Sequence, residues 1–110
     1  MEITEINEGN CTILAVSGRL DTTNYTQLEK QVTDLTDGGR NRLLIDCSAM
    51  DYISSSGLRI LLMALKKVTA TRGKFALCGL QENIREIFEI SGFTSIFEIH
   101  PTRQEALAAF

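Results

Sequence analysis

A short uninterrupted apolar run, Leu43-Leu44-Ile45, restricts the fold of this chain more than any other feature. A strand with one wet face alternates polar and apolar residues, whereas a run without alternation is covered on both faces. The segments around it have the period that such a cover requires. Tyr25, Leu28, Val32 and Leu35 recur along one helical face, which Gly38-Gly39 closes. A longer apolar stretch from Leu58 to Val68 offers Leu58, Leu61, Leu62, Leu65 and Val68 to a core and stops at Arg72-Gly73. Lys74 to Cys78 is a second buried strand. Gln81 to Ile90 is a helix with Ile84, Ile87 and Phe88 inward, ended by Gly92.

The ends complete the pattern. Ile3 to Ile6 and Cys11 to Val16, joined by Glu8-Gly9-Asn10, read as a hairpin. Residues 17–21 read as a loop, and a last strand is placed around Ile96 to Ile99. Thr102 and Glu105 form a capping box for a C-terminal helix. The order is β-β-α-β-α-β-α-β-α over a single domain, residues 1–110. This is an α/β fold with a mixed, mostly parallel sheet of about five strands packed by about four helices. The first strand adds an antiparallel edge. Function in such sheets gathers where strands feed into helices, which selects residues 17–22 and 48–57.

Composition removes several function classes. Net charge is −3, and Arg40-Asn41-Arg42 and Lys66-Lys67 are short, isolated basic groups, so no nucleic-acid surface is expected. No apolar run approaches the roughly 20 residues that span a bilayer, and Met1 to Glu5 is not a secretory leader. No membrane insertion and a cytoplasmic location follow as expectations. Cys11, Cys47 and Cys78 have no metal-type spacing and lie in or beside strands, where reduced thiols pack as small apolar groups. No metal and no cofactor is expected. His100, the only histidine, is read as a loop residue beside Pro101.

Chemistry concentrates in Asp51-Tyr52-Ile53-Ser54-Ser55-Ser56-Gly57-Leu58, where hydroxyl groups meet a helix start. A nucleophile elbow needs glycine two positions either side of the serine and a triad needs a base, but glycine stands only after the serines here and nothing in the sequence aims His100, the sole histidine, at the turn. A phosphate-binding loop needs a lysine before the hydroxyl residue, and none is present. No catalytic residue is assigned. Two readings remain: helix capping by one serine, and a modifiable hydroxyl exposed to a partner. Asp21 is read either as a cap for a helix near Thr22-Thr23 or as a partner contact, and Tyr52 and Ile53 as anchors to the core.

Taken together, Gly18-Arg19-Leu20-Asp21, Leu43-Leu44-Ile45-Asp46, Tyr52 to Leu58 and Phe88-Glu89-Ile90-Ser91-Gly92-Phe93 resemble STAS domains of the anti-sigma-factor antagonist type. The resemblance covers nearly the whole chain. It implies a non-enzymatic switch that captures a serine-kinase anti-sigma factor when unphosphorylated, with a serine phosphatase restoring capture. It assigns phosphorylation to Ser55, with Ser56 as second choice, and partner binding to Asp21, Ser54, Ser55, Ser56 and Gly57. Ser54 stands where the common family pattern has aspartate, and the nearest acid in sequence is Asp51. The alternative role within the family is a constitutive subunit of a lipid transporter or larger signalling assembly, never phosphorylated.

Overall fold

The computed structural model describes all residues, 1–110. One sheet of five strands carries them in sequential order: β1 (Glu2–Glu8), β2 (Cys11–Leu20), β3 (Arg42–Ile53), β4 (Lys74–Cys78) and β5 (Ile99–His100). β1 pairs antiparallel with β2, and every other pairing is parallel. Helices α1 (Tyr25–Asp37), α2 (Ser55–Ala70), α3 (Glu82–Ile90) and α4 (Arg103–Ala108) follow β2, β3, β4 and β5. The expected order, the parallel core and the antiparallel edge are all present.

The two faces of the sheet are unequally covered, and side-chain alternation along the strands sorts the core between them. Leu43, Ile45 and Cys47 of β3, with Phe75 and Leu77 of β4, join the main core beneath α1, α2 and α3. Leu44, Ala76, Cys78, Cys11 and Ile13 point the other way, into a smaller cluster closed by Ala106 of α4. The apolar run therefore lacks polar alternation because both of its faces are buried. Cys11, Cys47 and Cys78 are free and buried. Burial pushes the Cys47 thiol up and the Cys78 thiol up to about 12, so both stay protonated as packing groups near neutral pH.

Three segments depart from the sequence reading. Residues 17–20 and 48–53, expected as loops, continue β2 and β3. The register shifts between Ala15 and Ser17 and between Gly18 and Arg19, and Gly18 takes a φ of +85°. These bulges break the two-residue period by which a strand is recognised, yet the ladder resumes with Arg19 opposite Tyr52 and Leu20 opposite Ile53. The last strand is shorter and later than expected. Phe93–Ser95 form a 3-10 turn, Ile96 is exposed, and Phe97 is drawn into a ring cluster with Phe75, Phe88 and Phe93. Only Ile99 and His100 then reach β4, so His100 is a strand residue, its Nε2 2.7 Å from Glu98 Oε2. In α2 the deepest residues are Gly57, Ile60, Leu61, Ala64 and Val68, while Leu58, Leu62 and Leu65 are half-buried.

The thinner face is tied down by one ion pair. Asp46 is 6% exposed; its Oδ1 accepts from the Ser48 N–H at 2.9 Å and its Oδ2 from Arg103 Nε at 2.8 Å. Burial pushes the Asp46 carboxyl up, but the Ser48 and Arg103 hydrogen bonds and the Arg103 charge outweigh it, leaving a net downward shift. A carboxyl lowered by folding stabilises above its unfolded value, and that contribution is lost as pH falls through the folded one. Arg103→Gln is therefore expected to cost about 1–2 kcal/mol at pH 7, discounted because the guanidinium is partly exposed. Thermal melts should show the gap from wild type closing as pH falls below about 4. A gap equally wide in acid would assign the effect to α4 packing rather than to the ion pair.

Candidate functional site

β2 and β3 run in parallel, so their C-terminal ends deliver residues 21–24 and 54–57 to the same edge of the molecule. Backbone and side chain then stitch the two segments together. Ser54 N–H donates to Leu20 O at 2.9 Å, and the hydroxyls of Ser56 and Thr22 lie 3.3 Å apart. The structure thus brings the turn that holds Asp21 and the serine turn to one edge of the molecule.

The three serines differ in what they do. Ser54 has extended backbone and its Oγ accepts the Gly57 N–H at 3.2 Å, making it the N-cap of α2. Aspartate fills the same capping role about as well, so the serine at this position keeps the helix start intact. Ser56 is half-buried against Thr22. Ser55, the first residue of α2, is exposed and its hydroxyl engages no other side chain or carbonyl of the chain. The first turn of α2 holds no acidic residue, so the positive end of its dipole is uncompensated there.

Gly57 sets how closely this helix start approaches the sheet. A Cβ at that position would meet Ile53 Cγ1 at 2.7 Å, Leu20 Cγ at 2.9 Å and Leu20 O at 3.0 Å. Gly57 is buried, so its place in the site is to let Ser54, Ser55 and Ser56 sit directly on the strand ends, and it presents no side chain to a partner. Gly57→Ala combines a gain of about 1 kcal/mol in helix propensity with overpacking of about 1–3 kcal/mol. A net loss of about 1 kcal/mol, read by chemical denaturation, is the expected result; a more stable variant would show that the helix start yields easily.

Asp21 organises the neighbouring turn. Its Oδ1 accepts from the Thr23 hydroxyl at 2.6 Å and the Thr23 N–H at 2.9 Å, and its own N–H donates to Asn24 Oδ1. The helix after it begins at Tyr25, with Asn24 as the flanking residue, so Asp21 caps a turn ahead of α1 rather than the helix itself. The Thr23 hydroxyl first, then the Thr23 N–H and the Arg19 guanidinium, hold the Asp21 carboxyl below the usual range and therefore charged.

Sequence reasoning missed two members of this surface. Tyr52, expected as a core anchor, is 39% exposed, while Ile53 next to it is buried. The Arg19 guanidinium lies 3.9 Å from the Tyr52 ring centre and its Nε is 3.5 Å from Asp21 Oδ2. Asp21, Arg19 and Tyr52 therefore form a continuous strip across the ends of β2 and β3. An exposed aromatic beside an arginine is the kind of group that anchors protein interfaces. The signal was present in Gly18-Arg19-Leu20-Asp21, but the bulges concealed that Arg19 and Tyr52 are paired across the ladder. On β5, the ring of His100 is bonded to Glu98 and is not brought to Ser55.

Comparison with known proteins places this geometry. The STAS domain family matches residues 3–106. BtrV of Bordetella bronchiseptica, named as a candidate anti-sigma factor antagonist, is 41% identical over 98 residues, 89% of this chain and 84% of that protein. A crystal structure from Thermotoga maritima, named in the same way, superimposes with a TM-score of 0.93 at 23% identity, covering 97% of this chain and 92% of that one. Bacillus SpoIIAA in its phosphorylated form superimposes with a TM-score of 0.78 at 17% identity, covering 98% of each chain. At these identities the two structures speak for the fold, whereas the family match and the Bordetella relative speak for kinship. The chain belongs to the STAS domain family of anti-sigma factor antagonists.

Proposed function

We propose that the protein is a phosphorylation-controlled binding switch that captures a serine-kinase anti-sigma factor while Ser55 is unmodified. The observation that carries this reading is the division of labour in the serine turn. Ser54 is spent on capping and Ser56 packs against Thr22, which leaves Ser55 as the exposed, unengaged hydroxyl. Asp21, Arg19 and Tyr52 supply a charged and aromatic strip on the same edge for the partner to dock on.

Phosphate on Ser55 adds roughly −1.5 to −2 charges and three strong acceptors. At the first residue of α2 the helix dipole offsets part of that charge, so the domain stays folded. A partner packed over Ser55 must instead bury or repel it. The switch acts on the interface and needs no change of fold. SpoIIAA, whose structure is known in a phosphorylated form, lends the reading support by analogy. Restoration of capture requires a serine phosphatase.

Incubation with the cognate kinase and ATP, followed by mass-spectrometric mapping, tests the assignment. Phosphate on Ser55 is expected, with Ser56 the second choice. Modification of neither, under conditions where the kinase phosphorylates itself or another antagonist, would overturn the site.

A further inference from the structure

The largest cavity lies at the other end of the sheet from the serine turn, where β2 and β3 begin. Cys11 to Leu20 separates the two ends by roughly 30 Å at the usual rise of a strand. The cavity has a volume of about 450 Å³ and is walled by the hairpin turn Gly9-Asn10, by Asn7 and Thr12, and by Arg40 and Arg42. Cys11 is its single hydrophobic lining residue, and the asparagine, threonine and arginine side chains supply the polar half of a wall that also exposes carbon.

Two guanidinium groups line this one space without a carboxylate partner. No acidic oxygen lies within 4.0 Å of either Arg40 or Arg42. Arg40 Nη1 donates to Asn7 Oδ1 and reaches Thr12 Oγ1 at 3.5 Å, two residues that line the same cavity. The Arg42 guanidinium lies 5.6 Å from the Phe110 ring centre, and its Nε is buried with no hydrogen-bond acceptor in the chain. The Arg42 Nε is thus an unsatisfied donor of a charged group held inside the protein rather than at the cavity surface. Glu8, at the end of β1 beside the hairpin turn, is exposed and pairs with neither arginine.

We infer that this cavity is a binding site for a phosphate-bearing polar small molecule, held through its phosphate by Arg40 and Arg42. Planar guanidinium forks match the tetrahedral oxygens of a phosphate, and two of them acting together favour a dianion over a single carboxylate. The volume falls within the range of small-ligand sites, well above what a bare anion fills, and the asparagine and threonine walls suit hydroxyl groups. The site is separate from the Ser55 surface and does not rest on the switch reading.

Titration of the full ¹⁵N-labelled chain with inorganic phosphate and with ribose 5-phosphate, at ionic strength held constant with chloride, tests this. Saturable shifts are expected at Gly9, Asn10, Arg40 and Arg42, with ribose 5-phosphate binding at least as tightly as phosphate. Tight binding of phosphate alone would assign the site to the free anion. Arg42→Gln is expected to weaken binding tenfold or more. Arg40→Gln, on an exposed side chain, gives the same readout should loss of Arg42 disturb the fold. The proposal is overturned by an absence of saturable shifts, by shifts confined to residues 54–57, or by folded arginine variants that bind as wild type does.

Discussion

Ser55→Asp should lower affinity for the anti-sigma factor thirty-fold to several-thousand-fold while leaving the melting temperature within a few degrees of wild type. The affinity range follows from about 2–5 kcal/mol for a charge left unpaired in an interface, at about 1.4 kcal/mol per tenfold. The unchanged stability follows from position. Ser55 is exposed at the start of α2 and contributes no hydrogen bond whose loss would cost the fold. An acid in a helix's first turn is favourable by about 0.3–1 kcal/mol, so the aspartate variant should melt no lower than wild type. Ser55→Ala is the control, expected to retain capture and to resist the kinase. Calorimetric titration against the anti-sigma factor, with a melt of each variant, separates the outcomes. If Ser55→Asp unfolded the domain, Ser55 would be structural; if it bound as wild type does, the interface would lie elsewhere.

Gly73→Ala should be the most damaging small substitution in the chain, costing about 3 kcal/mol or more, at the upper end of what overpacking produces. Gly73 joins α2 to β4 at a point with no space for a side chain. A Cβ there would fall 2.0 Å from Asn41 O, 2.7 Å from Asn41 Cβ and 2.8 Å from Val68 Cγ1. The nearest of these atoms is backbone and cannot rotate away. It is also engaged, because Asn41 O accepts the Lys74 N–H at 2.8 Å where β4 first meets β3. Relief therefore means moving the start of β4 away from β3 or the end of α2 away from the core. Urea unfolding should show a large fall in midpoint with the slope unchanged. A loss below about 1 kcal/mol would show that the α2–β4 junction relaxes far more readily than its packing implies.

Both substitutions lie beside segments that differ in how openly the sequence declares them. The helices were legible because an apolar stripe at helical spacing survives small shifts in the ends, as Leu28, Val32 and Leu35 of α1 show by all being buried. The bulged halves of β2 and β3 were not. Register shifts at Ser17 and Arg19 spoil the local two-residue period, and only pairing between strands distant in sequence shows that the ladder continues. The Ile96 region failed for another reason. Its β-like composition lost to long-range ring packing, which buries Phe97 and carries the segment off the sheet.

By itself the sequence determined the order of strands and helices, the double cover of the first half of β3, and the presence of a hydroxyl-rich helix start followed by glycine. Local pattern suffices for these because each depends on residues close together in the chain. Only the tertiary structure decided which serine does what, since the Ser54 cap, the Ser56–Thr22 contact and the free Ser55 hydroxyl are distinguished by where β2 ends beside β3. It likewise decided that Tyr52 faces outward under Arg19 and that Arg40 and Arg42 line one cavity. Such groupings join residues tens of positions apart, and no local period encodes which distant side chains meet.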